Sequence, residues 1–139
     1  MTVDKIDEIR KLIAEKTGLA VSEVGAHCDI DLDLGCTGDD FHEFMQAYAS
    51  AFRVDMSSYL WYFHTEEEGQ NVGAAFVKAP TDRVDHIPVT PQLLVKFADK
   101  GHWDVAYPAH ELPKRRYDIL VNQLLVGLII CFIVYRCTL

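Results

Sequence analysis

From Ile119 to Tyr135 the chain carries no charged residue, 17 positions in a row. As a helix they would extend roughly 25 Å, at the lower limit for crossing the hydrocarbon core of a bilayer. Taking Val121 to Leu139, with Arg136 reaching back to the interface, gives 19. Lys114, Arg115 and Arg116 stand just before the run, and positive residues there would keep the preceding chain on the cytoplasmic side. Asn122 and Gln123 weaken a spanning helix, and the run can also be read as a core helix or strand of the preceding domain. Length and flanking charge favour the membrane, with Leu124, Leu128 and Phe132 among the lipid-facing residues.

The rest of the chain has the opposite character. Residues 1 to 113 hold 9 Lys and Arg against 20 Asp and Glu, net -11, whereas the remainder is net +3. An acidic body argues against nucleic-acid binding, which needs basic residues to displace phosphate counterions, and suits a protein partner with a basic face. A chain of 139 residues, half of them apolar, is sufficient for one core but not for a second full domain. Cys28, Cys36, Cys131 and Cys137 show no Cys-x-x-Cys spacing, so neither a metal centre nor a disulfide framework is expected. Asp4, Asp7 and Glu8 leave no recognisable basic, apolar leader, and the body is expected in a reducing cytoplasm.

Three helices are legible in that body. Thr2 can cap a first one, whose Ile6, Ile9, Leu12 and Ile13 form an apolar face and whose end falls at Gly18. Thr37 can cap a second, with Asp40 completing a capping-box pattern and Asp39 and Asp40 complementing the helix dipole. Phe41, Phe44, Met45, Tyr48, Ala51 and Phe52 then make one continuous stripe that must be packed. Thr90 and Pro91 open a third helix through Leu93, Leu94, Phe97 and Ala98, closed by Gly101, with Trp103 folding back over it.

Between these lie less regular segments. Asp29, Asp31 and Asp33 alternate with Ile30, Leu32 and Leu34, which is read as a folded loop whose apolar members cover the helix ends. Tyr59, Trp61, Tyr62 and Phe63 form an aromatic group, taken as core, in a short helix or strand that could be capped by Ser57. Residues 65 to 88 read as loop, with a short strand over Val72 to Val77. Pro108 and Pro113 mark a linker before the basic triplet.

The order of an amphipathic helix, a long acidic loop, Asp33-Leu34-Gly35, a second amphipathic helix and a Thr-capped last helix resembles an acyl carrier protein. The match is ungapped from Asp33 to Phe52, where Asp33, Leu34, Gly35, Asp40, Glu43, Ala47 and Phe52 stand at the family's positions. Gly18-Leu19 and Glu23-Val24 resemble its opening, and Val89 to Ala98 its last helix, displaced by an insertion at about 60 to 88. The resemblance implies a mostly α fold: a carrier-like helical bundle over residues 1 to 108, with a short strand pair as one form its insertion can take. A linker over 109 to 118 and a carboxyl-terminal hydrophobic helix over 119 to 139 would follow.

Carriers take phosphopantetheine on the serine of Asp-Ser-Leu, but the aligned residues here are Thr37-Gly38-Asp39. Glycine has no hydroxyl to modify, and a carboxylate at Asp39 repels a phosphodiester, so the arm is not expected. Thr37 has a hydroxyl but is one residue early. The pattern is similar to that of bacterial carrier-like proteins with Gly-Asp-Asp at this place. By that resemblance Asp39, Asp40 and Glu43 form a partner-reading surface, with His42 as a pH-sensitive contact on the same exposed side, and the remaining aspartates enlarge the negative field. Dipole complementation accounts equally well for Asp39 or Asp40 alone.

Other chemistry finds little support. The aspartate loop lacks the glycine at its sixth position and the glutamate at its twelfth that a calcium-binding EF-hand requires, since Leu34 and Asp40 stand there. The six histidines are scattered, and no nucleophile elbow or dinucleotide fingerprint occurs. Cys36 lies near a helix amino end, which can activate a thiol, but the nearby aspartates oppose a thiolate. The expected function is a non-enzymatic, carrier-like adaptor at the cytoplasmic face of an inner membrane, or in the cytoplasm if the tail packs on the body. The alternatives are a working carrier modified at Thr37 or elsewhere and a small regulatory subunit using Cys36.

Overall fold

The computed structural model describes residues 2–139, with side chains from Asp4 onward, so the expected cap at Thr2 lies outside the described side chains. The protein is mostly helical: α1 (Thr2–Thr17), α2 (Gly38–Phe52), α3 (Pro91–Lys100) and α4 (Tyr117–Thr138), with short 3-10 turns between them. Among the described residues there is no strand, and one isolated bridge joins Asp55 to His102. They divide into two compact units, one reaching to Glu68 and including His86–Pro108, the other combining Gly69–Asp85 with Ala109–Leu139.

The first unit contains the core. Ile9 and Ile13 of α1, Phe41, Phe44, Met45 and Tyr48 of α2, and Leu94, Val95 and Phe97 of α3 are buried together. Each helix contributes the stripe its spacing predicts, except that Ala51 at the end of α2 is exposed and Phe52 only half-buried. The Tyr48 hydroxyl donates to the Leu94 carbonyl at 2.6 Å, tying α2 to α3, and Lys5 pairs with Asp99 between α1 and α3. Gly18 at φ 74 and Gly101 at φ 79 take the left-handed conformation that ends a helix without a Cβ clash. Thr90 accepts from the Leu93 amide at 3.1 Å, as a cap should. Trp103 does fold back, its ring centroid 4.7 Å from that of Phe97.

A polar network is buried beside the aromatic group. His64 Nδ1 lies 2.8 Å from the Ile87 carbonyl, which can only accept, so that nitrogen carries the proton. The Nε2 lone pair then accepts from the Tyr107 hydroxyl at 2.7 Å. The same hydroxyl oxygen accepts from Trp103 Nε1 at 2.8 Å and from the Leu60 amide at 3.2 Å. Burial pushes the His64 pKa down to about 4, so the ring is neutral at pH 7 and stacks on Tyr59 with the planes 7° apart. The aromatic segment forms a 3-10 turn at Trp61–Phe63 preceded by Leu60; Ser57 does not cap it but donates its amide to Asp55 at 2.9 Å.

The second unit corrects the strand expected over Val72 to Val77, and with it the short strand pair. Val72–Ala75 is a 3-10 turn because the Asn71 side chain accepts from the Ala74 amide at 3.1 Å and draws the backbone round. This turn packs on α4, a 22-residue helix with a mean hydropathy of 2.2 in its most apolar window, of which only 6% is buried. That is long and apolar enough to cross a membrane.

Candidate interaction surface

The amino end of α2 is assembled by residues far apart in the chain. Thr37 occupies the capping position with an extended backbone, yet its side chain makes no capping hydrogen bond. The expected Thr37 cap and its capping box with Asp40 are therefore not formed. The Gly38 amide instead donates to Thr65 Oγ1 at 2.9 Å, and that hydroxyl donates to Asp31 Oδ1 at 2.9 Å. Thr65 and Asp31 are both buried, so this bond is shielded from water in a way that a bond from exposed Thr37 would not be.

Gly38 itself is constrained twice. Its φ is +57, in the left-handed region, and a Cβ built there would run into the side chain of Glu68. A serine at this position would be strained in its backbone and crowded in its side chain.

The carboxylates carried over by resemblance do share a surface. Asp39, Asp40 and Glu43 are exposed, and Glu43 lies one helical turn beyond the other two on the same side. His42 is half-buried rather than exposed, edge-on to Trp61 at 5.8 Å. It lines an open groove of about 440 Å³ with Met45, Gln46, Ala49, Met56 and Tyr59. His42 is adjacent to Glu43 in sequence but about 100° away from it around the axis, toward the side that Trp61 covers.

The aspartate loop is turned differently from expectation. Residues 30–34 form a folded turn, as the glycine beyond them suggested, but Leu32 is 67% exposed and covers nothing, while Ile30 is buried. Asp29 and Asp31 point inward. Asp29 accepts from the Asp31 amide at 3.0 Å and pairs with His86 at 2.5 Å, while Asp33 accepts from the Asp29 amide at 2.8 Å. Burial raises the Asp31 pKa, opposed by the Thr65 hydrogen bond. The loop thus braces the start of α2 and adds only Asp33 to the exposed field. Glu66, Glu67 and Glu68 are exposed, and Glu68 reaches Gly38, so the acidic surface gains a member that no local pattern announced.

Cys36 is 3% exposed, and burial followed by the charges of Asp40 and Asp31 pushes its thiol up to about 11. It is a thiol at pH 7, without the access or ionisation of a nucleophile. The described residues hold no group of three or more His, Cys, Asp or Glu side chains placed to bind a metal ion.

On α4, Leu124, Leu128 and Phe132 are exposed, as are Lys114 and Arg115 before it. Arg116 grips Asp118 with two bonds, Nε to Oδ1 at 3.0 Å and Nη2 to Oδ2 at 2.6 Å, so the triplet is not three equivalent flanking charges. Comparison with protein-family models, curated proteins and solved structures returned no match to this chain.

Proposed function

We propose that this chain is a non-enzymatic, acyl-carrier-like interaction module, held by α4 at the cytoplasmic face of a membrane and presenting Asp39, Asp40 and Glu43 to a basic protein partner. The observation that carries it is α4, whose apolar surface is almost wholly uncovered and would be costly to leave in water. The order of α1, acidic loop, α2 and α3 supports the carrier-like reading, as does the position of Gly38 where a carrier has its modified serine. An acidic patch of this kind speeds encounter with a basic partner more than it adds affinity.

The test has two arms. The protein should stay with bilayers after alkaline carbonate washing, and Leu128→Arg/Phe132→Arg should release it, since each arginine costs about 2.5–3.5 kcal/mol near the centre of a spanning helix. Release of the wild type refutes the anchor. Separately, Asp39→Lys/Asp40→Lys should abolish the salt-sensitive part of partner capture; undiminished capture removes the proposed surface.

A second reading, a working carrier modified at Thr37, is favoured by one observation: Thr37 is exposed and makes no capping bond. Intact mass after incubation with a phosphopantetheinyl transferase and coenzyme A decides it. A phosphopantetheine-sized gain would replace the first reading with the second.

A further inference from the structure

The turn that packs on α4 does more than fill space. Asp118 and Asn122 lie four apart, on one face of the helix, and both would be awkward at the edge of a bilayer. Asn71 covers them. Its Nδ2 donates to Asp118 Oδ2 at 2.8 Å, and its Oδ1 accepts from Asn122 Nδ2 at 2.7 Å. The Gly73 amide donates to Asn122 Oδ1 at 2.6 Å. A Cβ on Gly73 would collide with the Asp118 carbonyl oxygen, so glycine is what lets the two backbones approach this closely.

With its polar groups turned to the helix, the same short segment leaves two large apolar side chains uncovered: Val72 at 56% exposure and Phe76 at 72%. Resting on the reading of α4 as a spanning helix, we propose that Asn71–Val77 is a second membrane-contacting element, seating Val72 and Phe76 in the headgroup–acyl boundary of a phospholipid bilayer. The depth agrees, because Asp118 and Asn122 sit within roughly 8 Å of the helix start, the thickness of an interfacial layer. Bilayer rather than protein is the occupant because this apolar surface lies on the very turns of α4 where the uncovered helix surface begins. The charge fits as well. Lys114 and Arg115, exposed just before α4, suit anionic headgroups at that level. The segment satisfies the polar turn of the helix, which removes a penalty for sinking it, and adds apolar contacts at the same level.

The full chain carrying Phe76→Trp or Leu128→Trp, reconstituted in phosphatidylcholine–phosphatidylglycerol vesicles, tests this against lipids brominated near the headgroup or deep in the chain, with wild-type emission subtracted. The Phe76→Trp emission should fall by about half with shallow bromine and less with deep bromine, and Leu128→Trp should show the reverse. Quenching of Leu128→Trp without quenching of Phe76→Trp overturns the proposal and leaves the anchor intact. If neither is quenched, the anchor fails and the proposal with it. A Phe76→Trp emission that shifts with protein concentration while staying unquenched would show a second copy of the chain as occupant, and also overturns it.

Discussion

The two units of this protein treat polar and apolar groups in opposite ways. The unit containing α1, α2 and α3 holds seven Lys and Arg against 17 Asp and Glu, net -10, and turns its apolar residues inward around a core. It also buries polar groups, most of them within chains of bonds: Gly38 to Thr65 to Asp31, and Ile87 with His64, Tyr107 and Trp103, while the buried Tyr59 hydroxyl has no partner among the described residues. The unit of α4 is net positive and turns its apolar residues outward, while its polar side chains Asn71, Asp118 and Asn122 bond to one another. The difference teaches that apolar content alone does not say which solvent a segment is built for. Where the hydrogen bonds close does: toward a core in one case, toward a single helix face in the other.

The sharpest break of this contrast would come from the buried network. Tyr107→Phe removes the hydroxyl that serves His64, Trp103 and Leu60 at once, and should destabilise the first unit by roughly 2–4 kcal/mol. Urea denaturation followed by tryptophan fluorescence reads this out, and an unchanged midpoint would mean that the network contributes nothing.

Acid should act on the same place. His64 has a folded pKa of about 4 against an ordinary 6.5, so the unfolded chain binds the extra proton first as pH falls. Its contribution is whole above pH 6.5, declines through that window and is gone below about 4, a loss on the order of 3 kcal/mol. Stability measured at closely spaced pH values should show that slope, and His64→Gln, which gains no proton, should flatten it. A parallel slope in the variant would place the titration elsewhere.

The smallest effect separates two threonines that look alike in sequence. Thr90→Ala should cost about 1 kcal/mol, whereas Thr37→Ala should stay within about 0.5 kcal/mol because its side chain caps nothing. Equal losses in thermal denaturation would contradict the assignment of the α2 cap to Thr65.

That pair also shows what was legible beforehand. Local signals located the helices well: Gly18 and Gly101 mark ends, Thr90 and Pro91 mark a start, and the stripe of α2 faces the core over most of its length. Thr37 marked the right position with the wrong bond, because a competitor 28 residues later in the chain offered a buried partner, and no periodicity encodes that. The exposure of Asp39, Asp40 and Glu43 could be read from helical spacing, but the burial of Asp29 and Asp31 could not, since it depends on His86 and Thr65 arriving from elsewhere. The half-burial of His42 was hidden for the same reason, since Trp61 reaches it from another segment. Residues 72 to 77 have strand-like composition, yet a single asparagine side chain decided for a turn.

Gly38 has a consequence for how such a chain could change. Relative to a carrier with serine at this place, the difference looks like one residue, and a glycine codon can become a serine codon by a single base. The backbone here has φ +57, and Glu68 occupies the volume a side chain would need. A serine there would have to displace the Glu68 side chain and hold the left-handed backbone that opens α2, so a one-base change at this codon calls for adjustment in two separate parts of the chain.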